Sequence, residues 1–216
     1  MPLTALILLP QVVVYAAAMR LIPLALAACL AFSPTALAED PAPAEPAADI
    51  VRKSPAEMRA DQLDRLFAKL HTASVADDTS KTEQGIWELW GLSDSPTAEV
   101  LLRQASRAMG DKANDAALKI LNRLIGAHPD FPEAWNKRAT LHFLVGRYDD
   151  SLKDIDKVLD LEPRHFGALA GRGMILERQK KYAAARAAFE DALAMNPGMD
   201  QVKQAVKALD RIERGI

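Results

Sequence analysis

Between positions 98 and 199, large apolar residues recur three and four apart, the spacing that lines one face of a helix, and polar residues fill the gaps. The rhythm breaks at Pro129, Pro163 and Pro197, which stand 34 residues apart and each close a stretch long enough for two helices. Three segments result, 98–131, 132–165 and 166–199. Their fourth places hold Leu101, Trp135 and Leu169, and their eighth places Ala105, Ala139 and Gly173. The twentieth places hold Ala117, Ser151 and Ala185, the twenty-fourth Leu121, Ile155 and Phe189, and the twenty-seventh Leu124, Val158 and Ala192. Small residues at two fixed places with bulky ones around them predict antiparallel helix pairs whose backbones meet closely at one crossing. Gly110, Gly146 and the Lys180-Lys181 pair are expected to form the short turn inside each pair, with Tyr148 and Tyr182 opening second helices.

The pattern weakens on both sides. Residues 39–56, rich in Pro and Ala with scattered charges, carry too few large apolar groups to order themselves and predict a linker. It ends at Ser54-Pro55-Ala56-Glu57, where a capping hydroxyl, a proline and a glutamate in reach of each other predict a helix start. With the repeat frame pushed back to Asp64, Phe67, Leu70, Trp87 and Trp90 fall at the fourth, seventh, twenty-fourth and twenty-seventh places. Residues 57–97 are therefore expected to form a degenerate repeat or a cap, with His71 and Glu83 standing where small residues belong. Downstream, Val202, Ala205, Val206, Leu209 and Ile212 mark one face of a last helix, 200–216, that covers the end of the stack.

Together these residues resemble the tetratricopeptide repeat, with three copies over 98–199. Gln104, Arg138 and Arg172 depart from the leucine common at the seventh place, and Asn114 from the aromatic at the seventeenth, so the first copy is the weakest. The resemblance implies an all-α fold, a right-handed α-solenoid of about seven to nine helices with a C-terminal capping helix. It also implies a concave groove lined by first helices. The matching positions are Leu102, Ser106 and Met109 in the first copy, Glu133, Asn136, Thr140, Phe143 and Leu144 in the second, and Met174, Glu177 and Arg178 in the third. Such a surface suits an extended peptide or an amphipathic helix. Members of the family that clamp a terminal carboxylate use lysine and asparagine at the fifth and ninth places. Leu102 and Ser106 stand there in the first copy, so that clamp is not expected.

Composition changes this picture at the N-terminus. The first 38 residues contain one charge, Arg20, and read as a secretory leader: Met19-Arg20, an apolar run from Leu21 to Phe32, and Ala36-Leu37-Ala38 ahead of Glu39. Cleavage is expected between Ala38 and Glu39, releasing a periplasmic or secreted protein. Because the leader is complete from Met19, that residue is expected to be the initiator in place of Met1. Membrane contact is expected only if the leader stays uncleaved or if Cys29, in a lipobox-like Leu26-Ala27-Ala28-Cys29, is lipidated. The second outcome would make the chain a membrane-tethered assembly factor. Cleavage after Ala38 would leave no cysteine, and so no disulfide.

Charge and chemistry narrow the function classes. With 27 Lys and Arg against 29 Asp and Glu, the net charge of -2 gives no field that would draw nucleic acid. His71, His128, His142 and His165 never pair at a metal-ligand spacing, and no phosphate loop or nucleophile elbow is present. Solvated or hydrogen-bonded imidazoles are expected. Asp149, Asp150, Asp154 and Asp156 read as a solvated acidic face at a helix start, not a calcium loop. Trp87, Trp90 and Trp135, at helical spacing among apolar neighbours, are expected in the core. The expectation is a non-enzymatic interaction scaffold of the bacterial envelope without a cofactor, similar to small exported repeat proteins of proteobacteria. An enzyme or small-ligand binder is the remaining alternative.

Overall fold

The computed structural model describes residues 53–73 and 79–215; the leader, its cleavage point at Ala38 and Glu39, Cys29 and most of the linker lie outside them. Among the described residues there are nine α-helices and no strand. They are α1 (Pro55–Thr72), α2 (Ser80–Trp90), α3 (Pro96–Gly110), α4 (Asn114–Ala127), α5 (Pro132–Leu144), α6 (Tyr148–Leu161), α7 (Phe166–Arg178), α8 (Tyr182–Met195) and α9 (Asp200–Arg214). The helices α3 to α8 form three antiparallel hairpins stacked as a right-handed solenoid.

Local chemistry sets the helix ends. Ser54 caps α1 with its hydroxyl on the Glu57 N–H, and the Glu57 carboxylate returns to the Ser54 N–H at 2.6 Å. Pro55, Pro96 and Pro132 occupy first turns, where a missing N–H does no harm. The short turns inside the hairpins each place one residue in left-handed backbone, at the same repeat position: Lys112 (φ 58°), Gly146 (φ 77°) and Lys180 (φ 58°). Gly110, expected in the first of these turns, instead ends α3.

Each hairpin crosses where its residues are smallest. Ala105, Ala139, Ala117, Ser151 and Ala185 are buried at these crossings, and Gly173 with them. A Cβ at Gly173 would stand 2.5 Å from the Phe189 ring, so the glycine compensates for an aromatic where the earlier copies carry Leu121 and Ile155. In the middle hairpin the Ser151 hydroxyl donates to the Ala139 carbonyl at 2.7 Å, tying α6 to α5 across the contact. The arginines at the seventh place bridge helices. Arg138 donates to Asn122 on α4 and, with two nitrogens at 2.7 and 2.8 Å, to Asp154 on α6. Arg172 pairs with Asp156 at 2.5 Å. Asp154 is thus buried, which corrects its place on a solvated acidic face; Asp149, Asp150 and Asp156 are exposed.

The N-terminal hairpin sits elsewhere than the end of the stack. Neither α1 nor α2 lies along α3 as a further repeat would. Their buried face, Leu63, Phe67, Leu70, Ile86, Leu89 and Trp90, closes on Phe166, Met195 and Met199, so the hairpin runs along the edge formed by the turns between repeats. Trp90 stacks on His165 with centroids 4.0 Å apart and planes at 10°, and Trp87 meets Phe166 edge-on at 5.3 Å. The Trp87 ring occupies the space a side chain at Gly167 would need. Polar ties reinforce the edge: Arg164 with Asp64 at 2.6 Å, Arg59 with Asp94 at 2.7 Å, and His71 Nε2 with the Ala194 carbonyl at 2.9 Å. At the other end, Val202 and Leu209 bury α9 against α8, while Ile212, expected on the same covered face, is half exposed.

Candidate interaction groove

The first helices of the second and third repeats, α5 and α7, leave a recess of about 310 Å³ between them. Asn136, Thr140, Phe143 and Leu144 face it from α5, and Ala170, Gly171 and Met174 from α7. Its walls are mainly apolar. Thr140, Leu144 and Met174 are exposed, and Phe143 is half buried beneath the Arg178 guanidinium, 5.3 Å from the ring centroid. A second recess of about 380 Å³ continues past Met174, between Glu177, Arg178, Tyr182 and Ile212. The exposure of Ile212 thus puts α9 at the groove's end.

Seven of the eight groove residues expected from the second and third copies line these two recesses: Asn136, Thr140, Phe143, Leu144, Met174, Glu177 and Arg178. Glu133 does not. It is buried at 3% exposure, where its carboxylate accepts from Asn136 Nδ2 at 2.9 Å and His165 Nε2 at 3.3 Å, and lies 3.2 Å from Lys137 Nζ. The first copy contributes to neither recess. Leu102 is buried against Leu124 and Phe131, Met109 packs against the core around Leu121, and Ser106 is exposed apart from them. Asn136, though it lines the recess, is only 8% exposed and offers little surface. Leu102 and Glu133 are therefore corrected from groove contacts to internal positions, while Asn136 keeps its place in the lining.

His165, expected as a solvated or hydrogen-bonded imidazole, is hydrogen-bonded and fully buried between Trp90 and the second repeat. Its Nδ1 accepts the Ala168 N–H and caps α7, which leaves the proton on Nε2 to be donated to Glu133. Burial pushes the Glu133 carboxyl up, but the His165 hydrogen bond, the Lys137 charge and Asn136 outweigh it and hold the group below its ordinary value. His142 is also buried. Desolvation lowers its pKa even though Asp154, with Oδ2 at 3.8 Å, and Asp150 pull the other way. Among the described residues, no cluster of His, Cys, Asp or Glu is arranged to hold a metal ion.

A third recess, of about 380 Å³, lies under the N-terminal hairpin between Arg59, Trp90, Asp94, His128, Asp130 and Glu162. Its charged groups are largely spoken for, since Arg59 pairs with Asp94 and Glu162 with Arg164. Leu92 and Leu161 also show partly at this recess, whereas the α5–α7 groove gathers Leu144 and Met174 around mainly apolar walls.

Known proteins share this architecture. The tetratricopeptide repeat profile matches residues 137–200. A TPR repeat-containing protein of Rhizobium etli is 38% identical over 148 residues, which are 68% of this chain and 72% of that protein. The SGT1 homolog of Bos taurus is 30% identical over 118 residues, and there the chain spans 35% of the relative's length. Among solved structures, the first TPR of Spaghetti (RPAP3), bound to the HSP90 peptide SRMEEVD, superposes with a TM-score of 0.53 at 19% identity. That match covers 56% of this chain and 96% of the other. The Sgt2 TPR domain of Aspergillus fumigatus gives 0.52 at 20% identity over 56% and 81%. At these identities the structures speak to the fold.

Proposed function

The chain belongs to the tetratricopeptide-repeat family, and on that premise we propose that it is a non-enzymatic scaffold of the bacterial cell envelope that holds another polypeptide between α5 and α7. The observation that carries the reading is the uncovered apolar recess of Phe143, Leu144 and Met174 in the concave face, with Thr140 beside it as a hydrogen-bonding group. An extended peptide or one turn of an amphipathic helix matches such a surface, because its apolar side chains can leave water there while its polar groups stay at the rim. The RPAP3 repeat domain, which is bound to an HSP90 peptide, gives precedent for a peptide ligand on this fold. The envelope assignment leans on the leader sequence, 1–38, and on the charge-poor run before Ala38.

Two experiments test the reading. Panning a random dodecapeptide display library against residues 39–216 is expected to enrich sequences that bind wild type and lose about tenfold or more in affinity on Phe143→Ala. Enriched peptides indifferent to Phe143→Ala and Met174→Ala would move the binding surface away from the groove. For location, the protein isolated from its host is expected in the periplasmic fraction with Glu39 at its N-terminus. An acylated Cys29 in the membrane fraction would replace the soluble scaffold with a tethered one.

A further inference from the structure

Helix α7 carries Gly167, Gly171 and Gly173 within seven residues, although glycine inside a helix is destabilising relative to alanine. Two of the three are explained by neighbours. Trp87 fills the place of a side chain at Gly167, and Phe189 fills it at Gly173. Gly171 has no such neighbour: a Cβ there would meet only Ile155 Cδ1, at an ordinary 3.6 Å. What its bare backbone leaves is room in the α5–α7 recess, where it faces the same space as Phe143 and Met174.

Charge lies to one side of that space. The turn from α7 to α8 presents Arg178, Lys180 and Lys181, all exposed, and none forms an ion pair with a described residue. Arg178 also reaches over Phe143, and Glu177 is the one acidic group lining that end of the groove. The fifth and ninth places of the first repeat, the buried Leu102 and the exposed Ser106, supply no cation for a chain terminus.

Resting on the groove reading above, we propose that the site selects an internal segment of its partner in which one large apolar side chain neighbours a run of acidic residues. The apolar side chain fills the room left at Gly171 between Phe143 and Met174, and the carboxylates lie along Arg178, Lys180 and Lys181. Gly171 is then a specificity-determining position: the chain gives up helix stability there to keep a socket open.

The test uses fluorescence anisotropy with synthetic dodecapeptides, acetylated and amidated, in which a single leucine stands beside three glutamates, placed on either side in separate peptides. Residues 39–216 are expected to bind one of these, and to bind its Leu→Ser and Glu→Lys versions at least about tenfold more weakly. A free C-terminus is expected to make no difference. Gly171→Ala is expected to raise the melting temperature by about 2–4 °C while weakening binding several-fold. Gly171→Met is expected to fill the socket from within and abolish binding without lowering that temperature. Charge reversal at Arg178, Lys180 and Lys181 is expected to switch preference to the Lys peptide. Failure of every acidic peptide to bind, equal affinity for Glu and Lys peptides, or full binding by Gly171→Met overturns the proposal. Binding that is lost on Phe143→Ala but kept in Gly171→Met overturns the socket and leaves the groove reading standing. Binding that survives both variants overturns the two together.

Discussion

Along one face of α7, two glycines a turn apart serve opposite purposes. At the first turn, Gly167 lets Trp87 press against the helix backbone, and with Trp90, His165 and Phe166 the site is filled with aromatic rings. One turn further on, Gly171 leaves a space that is bounded by Ile155 at an ordinary 3.6 Å and that no aromatic ring fills. The first arrangement recovers what glycine loses in helix propensity by burying large rings, and the second does not. A packed edge and an unfilled groove on one helix separate the residues that hold the solenoid in shape from those free to meet a partner.

The largest expected effect comes from removing room where it is already used. Gly173→Leu should lower stability by about 4 kcal/mol or more, because Phe189 must be displaced from the α7–α8 crossing. Pairing Gly173→Ala with Phe189→Leu, which reproduces the Ala105 and Leu121 combination of the first repeat, should recover most of what Gly173→Ala alone loses; urea denaturation reads both. Next, Trp90→Ala should lose about 3 kcal/mol by opening a cavity on His165, against about 1–2 kcal/mol for the half-buried Phe143→Ala. Similar losses at the two positions would erase the distinction between edge and groove.

A smaller effect sharpens the comparison through pH. Glu133→Ala should cost about 2 kcal/mol near neutrality, since it strips buried donors on His165 and Asn136 of their acceptor. The folded protein holds this carboxyl below its ordinary value, so its contribution is complete above the ordinary carboxylate range. It is lost as pH falls through the lowered folded value, and the gap between wild type and variant should close there. His142 acts earlier. Its depressed pKa makes protonation oppose folding, so wild type should begin to soften as pH drops below the ordinary 6.5, and His142→Gln should not. The smallest change is a gain: Lys112→Gly and Lys180→Gly relieve left-handed backbone and should each add roughly 0.5 kcal/mol in thermal melts.

The repeat core was legible in the sequence because its determinants are local and periodic. Prolines 34 apart and small residues at two places restrict the chain to stacked hairpins whatever lies around them. The position of α1 and α2 was not legible, because it is set by Trp87 and Trp90 meeting His165 and Phe166 from across the chain, contacts that obey no period. The groove was half legible. Phe143, Leu144 and Met174 follow the repeat pattern, whereas Glu133 sits at a groove place and is buried by a histidine from the next turn. A Lys four residues after an acid at a helix start, and three glycines in one short helix, were the available signals for Glu133 and Gly171.

The most direct measurement is a map of amide chemical shifts on isotopically labelled residues 39–216 as a library-selected peptide is titrated in. The account predicts that the largest changes fall on Thr140, Phe143, Leu144, Gly171 and Met174, with α1 and α2 unmoved. Changes centred on the N-terminal hairpin or on the outward faces of α4 and α6 would contradict it.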